Sequence, residues 1–386
     1  MPLSVSMEKF FAKEKYTRED IEKFSSTPEE LESAKLLPEV SYEVSKPTKQ
    51  RRREIIHNIF SAILFPYGLL RLIARIARIV AGFFVSGPTK KKNKLNHYRK
   101  KYGERLKKED FLVKRLTLKI GGEKYDGILI AHRDTLASKK WDIRCLGRTR
   151  SYERTMKKEI SVFPTRKRNI LMVNRPSVGC SEGYPLPEEM GNSQRVGIRL
   201  LEEIGSQKIA IDMHSLGGAT GGEAILQHDF KGKTKKDKPT YVAIFDRTFG
   251  TLSQTVSAMT NPILGFLLRL INYNFSVIKA SKRLEEHNIQ QIIIQATNPT
   301  KYLNKEKRIL NPQTSVFSSD GTIPERATLA GALKKENLNL LENRIFMAAK
   351  KKMPHSENKN PEFDKILYAK VDRLLKPQRT PDFFCL

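Results

Sequence analysis

Cysteine is scarce in this chain of 386 residues. Its three copies, Cys145, Cys180 and Cys385, are odd in number and far apart. That excludes a disulfide framework and a thiolate zinc site, and it points to a reducing compartment. Acidic residues are few as well: 42 Asp and Glu stand against 71 Lys and Arg, a formal net charge of +29. Such a charge bears on partners rather than on fold, and anionic membrane, acidic protein and nucleic acid all suit it. Long apolar runs are missing. The apolar run in the first hundred residues, Ile59 to Leu70, is 12 residues long, short of the roughly 20 residues that span a bilayer. The opening residues are charged and contain no apolar core, so no secretory signal is read there.

What is present falls into three parts. Residues 1–50 are polar, and Thr17-Arg-Glu-Asp20 and Thr27-Pro28-Glu-Glu30 have the form of helix starts, so two short helices are expected. Residues 51–108 are apolar and basic. Arg71, Arg75 and Arg78 recur at helical spacing along a segment otherwise made of Leu, Ile and Val, and Lys90, Lys91, Lys92, Lys94, Arg99, Lys100 and Lys101 follow. An arginine-striped apolar helix beside a basic cluster suits a segment lying in a membrane interface, or a shallow hairpin bent at Pro66-Gly68, with anionic lipid as partner. The alternative is a helix packed on the following domain with its arginines in solvent. A full span would bury three arginines at considerable cost. No specific nucleic-acid partner is expected, because only Tyr98 and Tyr102 interleave with the cluster and no binding module surrounds it.

Residues 109–386 alternate between strands and helices. A hairpin is expected over residues 111–120 and 124–131, turned at Gly121-Gly122. Apolar strands follow at 141–146, 168–174, 208–212, 241–245, 291–295 and 344–348, with helices at 190–204 and 362–375. Buried strands alternating with helices imply an α/β class: a mostly parallel sheet, covered on both faces, with an antiparallel edge. A helical apolar stretch at 251–287 interrupts the rhythm, as an inserted lid or as an ordinary packing helix.

The stretch that carries chemistry is Asp212-Met213-His214-Ser215-Leu216-Gly217-Gly218. A strand runs into it and a small-residue run leads out, the pattern of an elbow that holds a serine on a sharp strand-to-helix turn. Met213 stands where a small residue usually relieves crowding. The Leu216 N–H and the helix N-terminus would face a developing oxyanion, and a second donor would come from Gly147-Arg148 after an earlier strand. A nucleophilic serine needs a histidine base oriented by an acid. His228 and His287 read as structural or exposed. His355, in a loop after the last strand, is the candidate base. Asp320, in Ser318-Ser-Asp-Gly-Thr-Ile-Pro324, is the candidate acid, with Asp246 as its rival. No metal or cofactor is called for.

These residues carry a family resemblance. The chain resembles the α/β-hydrolase superfamily, most nearly the chlamydial CHLPS-type hydrolase-like family of intracellular bacteria, over roughly residues 110–375. Asn174-Arg-Pro-Ser-Val-Gly-Cys-Ser-Glu-Gly183 is similar to that family's turn after the fourth strand, with Ser177 in place of a glycine. His214-Ser-Leu-Gly-Gly218 and Asp320-Gly-Thr-Ile-Pro324 are similar to the nucleophile and acid turns. The resemblance implies an α/β-hydrolase fold with Ser215 as nucleophile, Asp320 as acid and His355 as base. It implies a serine hydrolase (esterase, lipase or thioesterase) acting on an acyl ester or lipid, or else a non-catalytic scaffold that binds membrane or a partner protein. A cytoplasmic or peripheral-membrane location follows from the composition, and delivery into a host cell is an expectation drawn from the resemblance alone.

Overall fold

The computed structural model describes residues 40–44, 65–87, 111–136, 138–230, 239–298, 302–304, 308–320, 322–336, 343–349 and 361–376, with isolated residues between 52 and 60 and between 95 and 102. Its strands are β1 (Val40–Val44), β2 (Phe111–Ile120), β3 (Glu123–His132), β4 (Lys140–Cys145), β5 (Asn169–Val173), β6 (Lys208–His214), β7 (Thr240–Asp246), β8 (Gln290–Asn298), β9 (Tyr302–Asn304), β10 (Ile309–Leu310), β11 (Val316–Phe317) and β12 (Arg344–Ala349). The helices used below are α1 (Phe65–Ser86), α2 (Tyr152–Arg166), α3 (Pro187–Glu203), α4 (Gly217–Gln227), α5 (Leu252–Met259), α6 (Pro262–Leu270), α7 (Val277–Glu286), α8 (Leu329–Lys335) and α9 (Pro361–Leu374).

The strands form one sheet in the order β1-β2-β3-β5-β4-β6-β7-β8-β12-β10-β9, with β11 paired back onto β8. From β5 through β12 the neighbours run parallel, while β2-β3 and β3-β5 are antiparallel. The exchange that places β5 outside β4, with a parallel run beyond, is the arrangement of the α/β-hydrolase fold, and the chain has that fold. The expected hairpin is β2-β3, and each expected strand of residues 109–386 is present. The tyrosine- and valine-bearing β1 was not anticipated. It adds a parallel strand to β2, Val40 opposite Leu116 and Val44 opposite Ile120. The two helices expected earlier in residues 1–50 lie outside the described residues.

Apolar side chains of alternate strand positions make the core. Trp141, Ile143, Cys145, Ile209, Ile211 and Met213 bury themselves under α3 and α4, as period-two burial requires. The opposite face of β4 and β6 is charged rather than apolar. Arg144 reaches Asp212 of β6, Glu159 of α2 at 3.2 Å and the Tyr368 hydroxyl of α9 at 3.0 Å. Arg166 joins Glu159 (2.6 Å) to Asp364 (3.1 Å), and Arg168 joins Asp142 to Asp372. Buried ion pairs recover their desolvation cost only when every partner is in place. This network therefore fixes where α2 and α9 sit on the sheet more than it adds stability.

Of the two forms open to this segment, the hairpin bent at Pro66-Gly68 is not the one seen. Helix α1 runs unbroken from Phe65 to Ser86, with Pro66 in its first turn, where a missing N–H costs nothing. Among the described residues no helix is long and apolar enough to cross a membrane.

Candidate active site at the carboxyl edge of the sheet

Ser215 sits at the turn between β6 and α4 with φ of +55°. That left-handed backbone is strained for a residue with a side chain and is characteristic of functional turns. Neighbouring strands stitch the turn in place. The Ser215 N–H donates to the Asp246 carbonyl at 3.1 Å, and the Ser215 carbonyl accepts from the Thr248 hydroxyl and from the Gly218 N–H, both at 2.9 Å. Ser215 and His214 are half-buried while Leu216 behind them is buried, so the serine is presented at the surface of the turn.

Glycines make the geometry feasible. A Cβ on Gly217 would fall 1.9 Å from the Cys145 carbonyl oxygen, so only glycine lets α4 start this close to β4. Met213, the bulky residue of the elbow, points away from the serine into the core. Its side chain fills the space that a Cβ on Gly221 would take, 2.7 Å from Cγ and Sδ. Crowding at the turn is thus relieved one helical turn later rather than at position 213.

The loop after β4 lies directly against the serine. A Cβ on Gly147 would stand 3.5 Å from Ser215 Cβ and 3.3 Å from the His214 carbonyl. Its backbone thus packs beside the turn that holds His214 and Ser215. The Arg148 side chain is exposed and turns away, donating to the Phe84 carbonyl of α1 at 3.0 Å. Arg175 was missed by sequence reasoning as a site residue, although it stands in the motif of the fourth-strand turn. It is buried, and its Nη1 donates to the Leu146 carbonyl (3.2 Å) and the Gly147 carbonyl (2.7 Å), holding this loop in place. Burial lowers its pKa to about 10. Ser177, in the same turn, adopts φ of +61°, which explains a glycine preference there, and its hydroxyl donates to the Gly183 carbonyl at 2.7 Å.

Asp320 is buried. β11 pairs antiparallel with the end of β8, Phe317 opposite Thr297, and so leads the chain back to the carboxyl edge of the sheet. Asp320 Oδ1 accepts the N–H groups of Thr322 (3.0 Å) and Ile323 (2.8 Å), an Asx-type turn that fixes the carboxylate. The rival Asp246 ends β7 beside Ser215. Its carboxylate takes Arg247 Nε at 2.9 Å and lies 3.2 Å from His214 Nδ1, so its charge is directed at these neighbours. A cleft lined by Gly147, Arg150, His214, Asp246 and Arg247 opens there. His355 lies outside the described residues, between β12 and α9. His228 is structural, its Nε2 2.8 Å from buried Glu202, and His287 packs against the Phe230 ring. Among the described residues no group of three His, Cys, Asp or Glu side chains could hold a metal ion.

Within the stretch read either as an inserted lid or as a packing helix, α7 buries Val277, Ile278, Ala280 and Leu284 and packs beside α4. It is a packing helix. Helices α5 and α6 pack on each other, and α6 buries only Gly265.

Comparison with known proteins matches the family described as Chlamydia CHLPS protein (DUF818) to residues 32–354. The match begins well before residue 110, the start expected from sequence; β1, paired into the sheet, and α1 belong to the same unit. No curated protein sequence matches the chain. Among solved structures, an esterase (Pf2001) of Pyrococcus furiosus is similar at 14% identity and a TM-score of 0.46, over 70% of this chain and 94% of that one. An α/β hydrolase of Vibrio vulnificus gives 15% identity and 0.43 over 68% and 80%. Carboxyl esterase 2 of the mycorrhizal fungus Tuber melanosporum gives 13% and 0.42 over 69% and 88%.

Proposed function

The chain belongs to the Chlamydia CHLPS protein (DUF818) family, and from its α/β-hydrolase fold and the elbow at residue 215 we propose that it is a serine hydrolase cleaving an acyl ester. The observation that carries the reading is the left-handed Ser215 between β6 and α4, with Gly217 packed on the Cys145 carbonyl. Ser215 Oγ attacks the acyl carbonyl while His355 takes its proton, and Asp320 orients the imidazole. Backbone N–H groups of Leu216 and of the Gly147-Arg148 loop stabilise the oxyanion. His355 then returns the proton to the leaving alcohol, and water releases the acyl group by the same steps. His355 enters by chain order, after β12, and Asp320 by its buried place at the end of β8.

Hydrolysis of p-nitrophenyl esters of graded chain length tests this reading. Turnover and fluorophosphonate labelling should both vanish in Ser215→Ala. Turnover that survives the substitution, or folded protein that neither turns over nor labels, would leave a hydrolase-like binding scaffold in its place.

A further inference from the structure

Helix α1 is folded inside out. Its polar side faces the domain. Arg78 is half-buried and pairs with Glu188 at the start of α3 at 2.6 Å, Arg75 lies close enough to Glu189 to act on its charge, and Arg71 donates to Asn58 at 3.1 Å. Gly82 and Ser86, on the same side, are buried, Gly82 against Pro185. The opposite side carries Leu69, Ile73, Ile76, Val80, Phe83 and Phe84, at the three- and four-residue spacing of one helical face. These six side chains are 47 to 71% exposed. Arginines in solvent over an apolar contact, the ordinary arrangement, would have put them the other way round.

A second apolar surface stands close by. Helix α6 exposes Ile263, Leu264, Phe266, Leu267 and Leu270, the last at 69%. The turn at Pro185 is touched by α1 through Gly82 and by the segment three residues after α6 through the Tyr273 hydroxyl, which donates to the Pro185 carbonyl at 2.8 Å. An exposed apolar surface made of two helices is far more than scattered surface residues contribute, and it marks an interaction face.

We propose that the outward face of α1, together with α6, docks the protein on an anionic lipid surface, lying in the interface without crossing it. Charge selects this occupant. Neither helix contains an Asp or Glu, and the chain carries +29, so a negatively charged bilayer attracts it while a second copy repels it. The α1 stripe expected to meet lipid through Arg71, Arg75 and Arg78 meets it instead through its leucines, isoleucines and phenylalanines. Arg78 attaches the helix to the domain through Glu188.

The docked face adjoins the chemistry. Arg148 donates to the Phe84 carbonyl, and the Thr149 N–H donates to the Ser86 carbonyl at 3.2 Å. The carboxyl end of α1 is therefore tied to the loop that carries Gly147 beside Ser215. Resting on the proposed hydrolase activity, this assigns the substrate class as an acyl lipid presented by the membrane on which α1 lies.

Vesicle flotation separates the two claims. Full-length protein is mixed with vesicles of phosphatidylcholine alone or with about 30% phosphatidylserine, a fraction giving a strongly negative surface. The triple variant Ile73→Gln, Ile76→Gln, Val80→Gln is run beside it; all three sites are exposed, and an unchanged melting temperature checks its fold. Expected are binding of wild type to the anionic vesicles and at least tenfold weaker partitioning of the variant, about 1.4 kcal/mol. The variant should keep wild-type rates on a soluble short-chain ester and lose them on the ester carried in vesicles. Wild type that does not float, a variant that floats equally well, or dimers in ultracentrifugation that the variant dissolves would each overturn the docking proposal. Flotation without any Ser215-dependent turnover would leave the docking intact and remove the substrate assignment.

Discussion

Neutralising Glu189 should stabilise the protein at pH 8 and leave it nearly unchanged at pH 4. Glu189 opens α3 beneath α1, and its Oε2 accepts the Tyr184 N–H at 2.8 Å. The Glu189 and Glu123 carboxylates crowd the same spot at Gly183, where an added Cβ would come within 2.6 and 2.9 Å of them. Burial raises the Glu189 pKa from 4.5 to about 7, and the charges of Glu123 and Glu188 add to it, against the Tyr184 hydrogen bond and Arg75. The unfolded chain releases this proton near pH 4.5 and the folded protein only near pH 7, so between them the folded state binds more protons. Stability is then fully present below about pH 4.5 and falls as pH rises toward 7. At about 1.4 kcal/mol per pH unit the loss is at most about 3 kcal/mol. Partial exposure and screening bring it to about 2 kcal/mol. Glu189→Gln keeps an acceptor for Tyr184 and removes the ionisation. Its melting temperature should exceed that of wild type by roughly 2 to 3 °C at pH 8 and match it near pH 4. A difference that is independent of pH, or a variant less stable than wild type at pH 8, would refute the reasoning.

Two further substitutions address the elbow and its loop. Gly217→Ala puts a methyl group 1.9 Å from the Cys145 carbonyl, so it should separate α4 from β4, destabilise the protein by about 3 kcal/mol and abolish turnover; chemical denaturation and ester hydrolysis read both. Arg175→Met removes both hydrogen bonds to the Leu146 and Gly147 carbonyls. It should lower kcat about 100-fold, as loss of one oxyanion donor does, with KM much less affected. An equal effect on KM would mean that Arg175 acts on binding rather than on the oxyanion loop.

Legibility in the sequence followed the range of the interactions. Strands β4 to β8 and β12 could be read because each buries a short apolar run, and the sharp strand-to-helix turn at Ser215 because its signals lie within ten residues. The inward side of α1 could not be read: hydropathy shows two faces, but Glu188, which decides between them, lies 110 residues from Arg78. The charged network under β4 was hidden for the same reason. Asp142 and Arg144 break an apolar run, and the residues of α9 that complete the network, Tyr368 for Arg144 and Asp372 for the Arg168 that pairs with Asp142, are more than 200 residues from the side chains they bind. Met213 looked obstructive because the missing side chain that accommodates it, at Gly221, belongs to the next helix. The Asp320 turn was legible as an Asp-Gly turn, whereas its return to the sheet edge depends on β11, only two residues long.

The cysteine at the end of β4 turns the elbow into a reporter of its own integrity. Cys145 is buried, and burial pushes its thiol well above the usual range, so in the folded protein it is neither accessible nor ionised. Its sulfur lies 2.9 Å from where a Cβ on Gly221 would be, directly beneath the turn that holds Ser215. Cys180 is exposed and in no disulfide. A thiol reagent should therefore modify Cys180 at once, whereas Cys145 reacts only in molecules whose α4 has lifted from the sheet. The rate of that slow alkylation measures how often the turn at Ser215 comes apart, with no substrate needed.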